Sequence, residues 1–460
     1  VKKIFILSAV LIISFGFLHG QERESLYSSY AAHGTVILSQ LPSYENIIAV
    51  QRELEYAISN SVDVFGNLYI RAWSTLPSVL TFVNSDGSVT ICSSDENTKI
   101  TYVYEYNQNL REIKSFSFKN ELGSLGAFTK DNDGNYYFFY GARASGRSDV
   151  NMAVIKLDRD GEKTNTYRLP ANTPNSFNGI RVPFDAGTCR LELSGSMLAV
   201  YYAREMFDGH QASFGFVLDR NTFERIDTGA ATNANLVGRN TQMPYVSHSF
   251  NQFILPAENG FIFADHGDAY PRSFTFARFQ RGSDTRRLHA FTFPGRIGDN
   301  PTYAQMGGLA KTPAGYIFTG TYGRIQNNPR NLFVLTFDEN MARCSNPVYL
   351  TNYTRDNGHA GHPKIVSVGE GHYLLLWEQF TFSAQGANVI TRSQTGYKST
   401  FALVINENGE AVSAVREFGG IRLNMNDTLR YNPQNGRVYW AINGSDTSII
   451  IYSLDVRSIF

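Results

Sequence analysis

Apolar residues along this chain come in short runs separated by polar turns, and the turns follow a rule. In KDNDGNYYFFYG a polar turn around Gly134 opens onto an apolar run. The same grammar returns at NSDGSVTIC (Gly87), LSGSMLAVYY (Gly195), AENGFIFAD (Gly260), TPAGYIFTG (Gly315), GEGHYLLLW (Gly371) and QNGRVYWAI (Gly436), which makes seven anchors. A second apolar run follows each anchor and usually ends in Asp or Asn at another turn. These runs are ITYVYEYN at Asn107, MAVIKLD at Asp158, FGFVLD at Asp219, LFVLTFD at Asp338, FALVIN at Asn406 and IIIYSLD at Asp455, with FTFARFQ at Gln280 as the exception. Gly tolerates positive φ, and Asp and Asn side chains bond back to the local backbone, so all three suit places where a strand reverses.

Successive anchors stand 47 to 65 residues apart, which leaves room for four antiparallel strands: A before the anchor, B after it, C ending at the acid or amide, and D beyond. The B runs are apolar on both faces, as in strands sandwiched between neighbouring sheets, whereas a half-exposed strand would alternate. Radial stacking of such sheets gives a β-propeller, so the pattern predicts an all-β, seven-bladed β-propeller of four-stranded antiparallel blades.

The last unit lacks a strand, because only five residues follow Asp455. Near the other end DVFGNLYIRAW (Asp63–Trp73) has a turn and an apolar run but no C and D partners. Leu68–Trp73 is therefore expected to close the last blade, with an eighth, degenerate blade around Gly66 as the competing reading. In YENIIAVQRELEYAIS, Ile47, Ile48, Leu54 and Ile58 fall near helical spacing, so one short amphipathic N-terminal helix is expected over Tyr44–Ser59.

Composition agrees with strands and tight turns: the 460 residues include 26 Tyr, 33 Phe and 39 Gly, which excludes disorder, coiled coil and collagen. The 41 basic and 41 acidic residues cancel, so no overall field recruits nucleic acid or an anionic membrane. Lys2 and Lys3, then an apolar run from Ile4 to Leu18, then Gly20 before QERES, read as a secretory signal peptide. The run is shorter than the ~20 residues a membrane span needs. The domain plan is thus 1–20 signal peptide, 21–62 N-terminal segment with the short helix, and 63–460 propeller, in a periplasmic or secreted protein expected to be a monomer. Cys92, Cys189 and Cys344 are an odd number, widely spaced, and give neither a disulfide framework nor a zinc site.

The pairing of TPAGYIFTGTY with NLFVLTFDEN, and of DNDGNYYFFYGA with NMAVIKLDRDGE, resembles the generic bacterial secreted β-propeller repeat, in which a T-x-D-G-G-Y-I-x-x-G half precedes an L-I-K-L-D-x-x-G half. The resemblance implies a fold and export. It implies no single activity and passes no catalytic residue to any position here. The sialidase Asp-box, the WD dipeptide, the kelch signature, the P-loop, G-x-S-x-G and H-E-x-x-H are all missing from the sequence.

Candidate chemistry sits on the connections. In this topology the A–B and C–D turns share one face and the long B–C and D–A connections the other, where a rigid scaffold usually presents its binding residues. Arg143, Arg204 and Arg324 each fall nine residues after an anchor, Gly134, Gly195 and Gly315. Equivalent positions in a propeller lie on one ring, so three guanidiniums could face a common axis and take a carboxylate or phosphate; the competing reading has each bonding a nearby loop. Asp265, His266 and Asp268 in the fourth unit and Glu378 in the sixth lie at similar places, and Tyr322 and His362 complete the ligand-binding candidates. His359, His362, His248 and His266 offer metal-ligand types, but HAGH falls in an expected loop without fixed geometry and reads as hydrogen-bonded histidines. Asp131, Asp133 and Asn135 imitate the start of a calcium loop whose twelfth position is Ala142 instead of Glu, so an ordinary turn is expected. Tyr202, Phe207, Tyr270 and Tyr322 would suit a sugar or peptide platform, or cap the space between blades.

The sequence thus reads as an exported recognition or scaffold module. Its expected partner is an anionic small molecule, a glycan or a protein on the long-loop face, with no cofactor, no metal and no catalytic residue assigned. The alternative is a carbohydrate-active hydrolase or lyase, with Glu205 or Asp208 opposite Glu378 or Asp265 as its acids.

Overall fold

Ile47–Glu53 is the first strand (β1) of a computed structural model that describes residues 44–58, 76–174, 176–185, 187–227, 243–281, 286–298, 302–323, 328–382, 396–445 and 447–460. Residues 1–20, Leu68–Trp73 and Gly66 lie outside the described residues. Val79–Val83, Val89–Asp95, Ile100–Tyr106 and Glu112–Lys119 (β2 to β5) form one meander, and Ser124–Lys130, Tyr136–Gly141, Val150–Leu157 and Lys163–Pro170 (β6 to β9) the next. The short Val182–Pro183 (β10) and Cys189–Ser194 (β11) both pair with Met197–Glu205 (β12), which pairs in turn with Gln211–Asp219 (β13). Ser247–Ala257, Gly260–Ala269, Ser273–Gln280 and Arg286–Thr292 follow as β14 to β17, then Ala304–Thr312, Gly315–Tyr322, Asn331–Asp338 and Val348–Tyr349 as β18 to β21. His359–Gly369, His372–Phe380, Tyr397–Asn406 and Arg416–Phe418 are β22 to β25, and Arg430–Asn432, Arg437–Ser445 and Ser448–Asp455 are β26 to β28. Among the described residues the single helical element is the 3-10 turn Val456–Ser458.

Among the described residues antiparallel pairing gives five four-stranded sheets and one eight-stranded sheet, in which β13 and β14 are joined by one residue pair, Ala212 with Ser247. The first strand of each meander lies against the first strand of the next: β2 with β6, then β11, β14, β18, β22 and β26, and β26 returns to β2. The sheets are therefore arranged around a closed ring, a β-propeller architecture with these strands nearest the axis.

The turn grammar explains the meanders. At Gly315 the φ is 150°, and a Cβ there would run into the carbonyl oxygen of Phe337 on the paired strand, so only glycine fits. At the ends of the third strands Asp158 Oδ1 accepts the amides of Asp160 and Glu162 at 2.9 Å each, Asp219 Oδ1 those of Asn221 and Thr222, and Asp338 Oδ1 that of Ala342. The second strands bury both faces, as their sequence predicts. In β7, Tyr137 and Phe139 pack with Leu198, Val200 and Phe216 of the following sheet, whereas Tyr136, Phe138 and Tyr140 pack with Cys92 and Val103 of the preceding one.

The N-terminal helix is corrected. Ile47–Glu53 runs antiparallel to β28, with Ile47 opposite Leu454 and Glu53 opposite Ser448. Strand periodicity wins because β28 offers an edge that must be paired: Ile47 turns inward while Ile48 is 38% exposed. A strand from the N-terminal side does complete the last sheet, but the place expected for Leu68–Trp73 is taken by β1, and the ring includes residues ahead of position 63.

Candidate functional site

Charged residues converge along the inner strands. Arg190 and Glu192 lie on β11, Lys364 on β22, Arg430 opens β26, and Asp427 sits in the connection leading into it. Arg430 Nη2 reaches Glu192 Oε1 at 3.3 Å across the ring, while its Nε donates to the Thr81 carbonyl. Asp427 accepts the amides of Thr81 (2.8 Å) and Thr428 (2.9 Å). Lys364 donates to the carbonyls of Met425 (2.8 Å) and Asp427 (2.6 Å), and burial, aided by Arg190, pushes its ammonium down to about 7. Arg190 lies over the Phe253 ring at 4.6 Å, and burial pushes its guanidinium down to about 10. Arg190 stands opposite Tyr201 and Lys364 opposite Leu376, each the middle residue of its second strand, so the cluster lies part-way along the axis.

The residues singled out from the sequence scatter into separate roles. Arg204 is fully buried and donates to the carbonyls of Phe177 (3.0 Å) and Gly179; burial pushes it down to about 10. It holds the loop entering its own meander. Arg143 is exposed, with its charge acting on Asp185, and Arg324 lies outside the described residues. No ring of three arginines is therefore assembled among the described residues.

Asp265 is buried and accepts hydroxyl hydrogen bonds from Tyr201 (2.5 Å) and Ser249 (2.7 Å); burial pushes it up to about 7. Its neighbour His266 bonds Thr302 at 2.6 Å among the rings of Phe250, Phe274 and Phe293, and burial holds it down at about 3, hence neutral. Glu378 and His362 are brought together, His362 Nδ1 to Glu378 Oε2 at 2.6 Å, with Arg422 Nε at 2.8 Å on the other oxygen. Burial alone would raise Glu378, but Arg422 and His362 pull it down to about 2. HAGH opens β22 instead of lying in a loop, and among the described residues no group of three or more His, Cys, Asp or Glu could hold a metal. Asp131 closes an ordinary turn by accepting the amides of Asp133 and Asn135.

The aromatic platform is real only in part. Tyr202 is fully buried, and Tyr322 packs edge-on against Phe291 at 4.9 Å inside the core. Rings gather instead around Phe177, which is 51% exposed and meets the half-buried Tyr245 edge-on at 6.5 Å. Phe207 nearby carries the Arg147 guanidinium 4.7 Å from its ring centre. Tyr270, between β15 and β16, is 57% exposed. The backbones of Phe177 (φ 31°) and Tyr270 (φ 48°) are left-handed, which costs a bulky residue roughly 1–3 kcal/mol. Beside this rim, Asp185 is buried next to Glu205; burial first, then the neighbouring Glu205, push its carboxyl up to about 8. Glu205 also pairs with Arg181 at 3.1 Å.

No protein-family model and no curated protein matches the chain. Among solved structures it is similar to a protein of unknown function from Dyadobacter fermentans, at 10% identity over 79% of this chain and 100% of that one, TM-score 0.44. It is also similar to an oligogalacturonate lyase in complex with manganese, at 12% identity over 84% and 99%, TM-score 0.43. A third is a member of the DUF4221 family from Bacteroides vulgatus, at 10% identity over 89% and 98%, TM-score 0.40.

Reasoning from the sequence missed Arg190, Lys364, Asp427, Arg430, Phe177 and Asp185. Counting forward from each anchor samples the end of strand B, but the strand nearest the axis is A. Counting backward finds Arg190 five residues before Gly195, Lys364 seven before Gly371 and Arg430 six before Gly436. A charge in an inner strand that is otherwise apolar is the signal that was available.

Proposed function

We propose that this chain is an exported, periplasmic or secreted seven-bladed β-propeller that acts as a non-catalytic recognition module, binding a glycan, small molecule or protein partner on its long-loop face. Two observations support the blade count. The eight-stranded sheet is two meanders held by the single pair Ala212 and Ser247, and among the described residues the buried apolar side chains divide into seven clusters, each shared by two successive meanders. Export rests on the basic start, the apolar run and the polar flank of residues 1–20.

The observation that carries binding is the rim of exposed aromatics held in strained backbone, Phe177 above all. Its loop is fixed from beneath by Arg204, so the ring is presented to solvent by a rigid support. Aromatic rings with polar neighbours bury large area at small entropic cost, which suits them to sugar faces and peptides. A glycan and peptide array should yield a ligand whose affinity falls at least tenfold when Phe177→Ala and Tyr245→Ala are combined, with the melting temperature held. Binding that survives both changes would remove this reading.

One observation favours the second reading, a carbohydrate-active hydrolase or lyase. Asp185, holding its proton near neutrality beside the Glu205 carboxylate, has the character of a general acid. An array hit that the chain cleaves, and that Asp185→Asn leaves intact, would replace the binding reading with this one.

A further inference from the structure

We propose that Arg190 is a carboxylate-binding residue, and that the acidic group of a ligand entering from the long-loop face is seated on its guanidinium part-way along the axis. The proposal rests on the binding reading above and adds to it the chemical class of the group recognised. Arg190 is 7% exposed. Its Nη1 donates to the carbonyl of Cys189 at 3.0 Å, whereas Nε and Nη2 are buried with no hydrogen-bond partner among the described residues.

That pairing is the informative detail. Nε–H and Nη2–H form the side edge of the guanidinium, where two parallel donors match the two oxygens of a carboxylate. Leaving both buried and unbonded costs more than a hydrogen bond gains, because each has given up water for nothing. The acids nearest to Arg190 are already engaged: Asp427 by the amides of Thr81 and Thr428, Glu192 by Arg430.

Charge agrees with geometry. Arg190, Lys364 and Arg430 face Glu192 and Asp427, and Glu378, which also acts on Lys364, is spoken for by Arg422 and His362. With Lys364 protonated the cluster carries one cation in excess, which a single monoanion neutralises and which in turn favours that proton on Lys364. One face of the Arg190 guanidinium is covered by Phe253, so the Nε–Nη2 edge, buried and unbonded, is where the paired donors still lack an acceptor. A halide would satisfy the charge but would leave one of the two donors unmatched, which is why the geometry selects an oxyanion with paired oxygens.

The test uses the full chain and four probes, sodium acetate, glucuronate, inorganic phosphate and sodium chloride, titrated calorimetrically at matched ionic strength. Acetate and glucuronate are expected to bind saturably. Glucuronate binding more tightly than acetate would identify a sugar acid as the source, and equal affinity a free small carboxylate. Arg190→Lys keeps the charge and loses the fork, so affinity should fall at least tenfold. Glu192→Gln raises the positive excess and should tighten binding several-fold, which keeps the test decisive if the Arg190 variant fails to fold. Chloride binding as tightly as acetate, phosphate binding more tightly than acetate, or no carboxylate binding by the unaltered chain, overturns the proposal. Neutral array ligands that still bind while carboxylates do not would sink the Arg190 assignment alone and leave the recognition module standing.

Discussion

Ile47 on β1 stands directly opposite Leu454 on β28, so the sheet that completes the ring is built from both ends of the described chain. Both side chains are buried in one cluster with Trp440 and Tyr452, while the adjacent Ile48 points outward. Alternation of this kind separates a strand from the helix that the spacing of Ile47, Ile48, Leu54 and Ile58 suggests. Ile47→Ala should cost about 2–4 kcal/mol as a buried truncation, and Ile48→Ala no more than about 0.5 kcal/mol as a surface change. Urea denaturation of the two variants checks this. Equal losses would return the segment to a helix with one buried face.

The repeat was legible because its signals are local. A glycine at Gly315 is dictated by the carbonyl of Phe337, and an acid at Asp158 by the amides of its own turn. Closure was legible only as a missing strand, because which segment fills the edge of β28 depends on a partner some four hundred residues away, and no local pattern encodes it. The site was least legible. The nine-residue offset that groups Arg143, Arg204 and Arg324 assumes that equal positions have equal surroundings, yet Arg204 is absorbed by the loop carbonyls of Phe177 and Gly179 while Arg143 lies exposed. Loop conformation differs between meanders even where strands repeat, and it decides what each side chain meets.

The turn acids should be structural and nothing more. Asp158→Ala or Asp219→Ala removes two amide partners from a short reversal. Each should lower stability by roughly 0.5–2 kcal/mol, by analogy with other local caps. These turns lie on the face opposite the aromatic rim, so affinity for any array ligand should hold. A variant that melts normally but loses binding would move the functional face to the short turns.

Glu378 should be among the most costly single changes in the protein. Glu378→Gln leaves Arg422 without its counter-charge in a buried place and turns an amide donor toward either His362 Nδ1 or the Arg422 fork. The expected loss is about 3–5 kcal/mol, the usual result of breaking a buried pair from one side. Its pH dependence has a definite sign. The folded carboxyl is held at about 2 against an ordinary 4.5, so the stability it contributes is complete above about pH 4.5 and is lost as pH falls toward 2. The gap between the two proteins, measured by denaturant titration, should therefore shrink on acidification below pH 4.5.

Asp265 should show the opposite linkage. Its folded carboxyl is raised to about 7 from 3.8, chiefly by burial, so the folded state keeps a proton that the unfolded state has released. Between about pH 4 and 7 stability must then decline as pH rises, and it levels off once both states are ionised. Asp265→Asn cannot ionise and removes that slope, while its amide can still engage the hydroxyls of Tyr201 and Ser249, which rotate to donate or accept. The variant should consequently gain on the unaltered chain from pH 5 to pH 8, read from denaturation midpoints at each pH. A difference that stays constant over this range would mean that Asp265 is charged throughout. Tyr201 and Ser249 would then be stabilising a buried carboxylate outright, an arrangement that favours a neighbouring cation from outside the protein over a neutral hydrogen-bonded core.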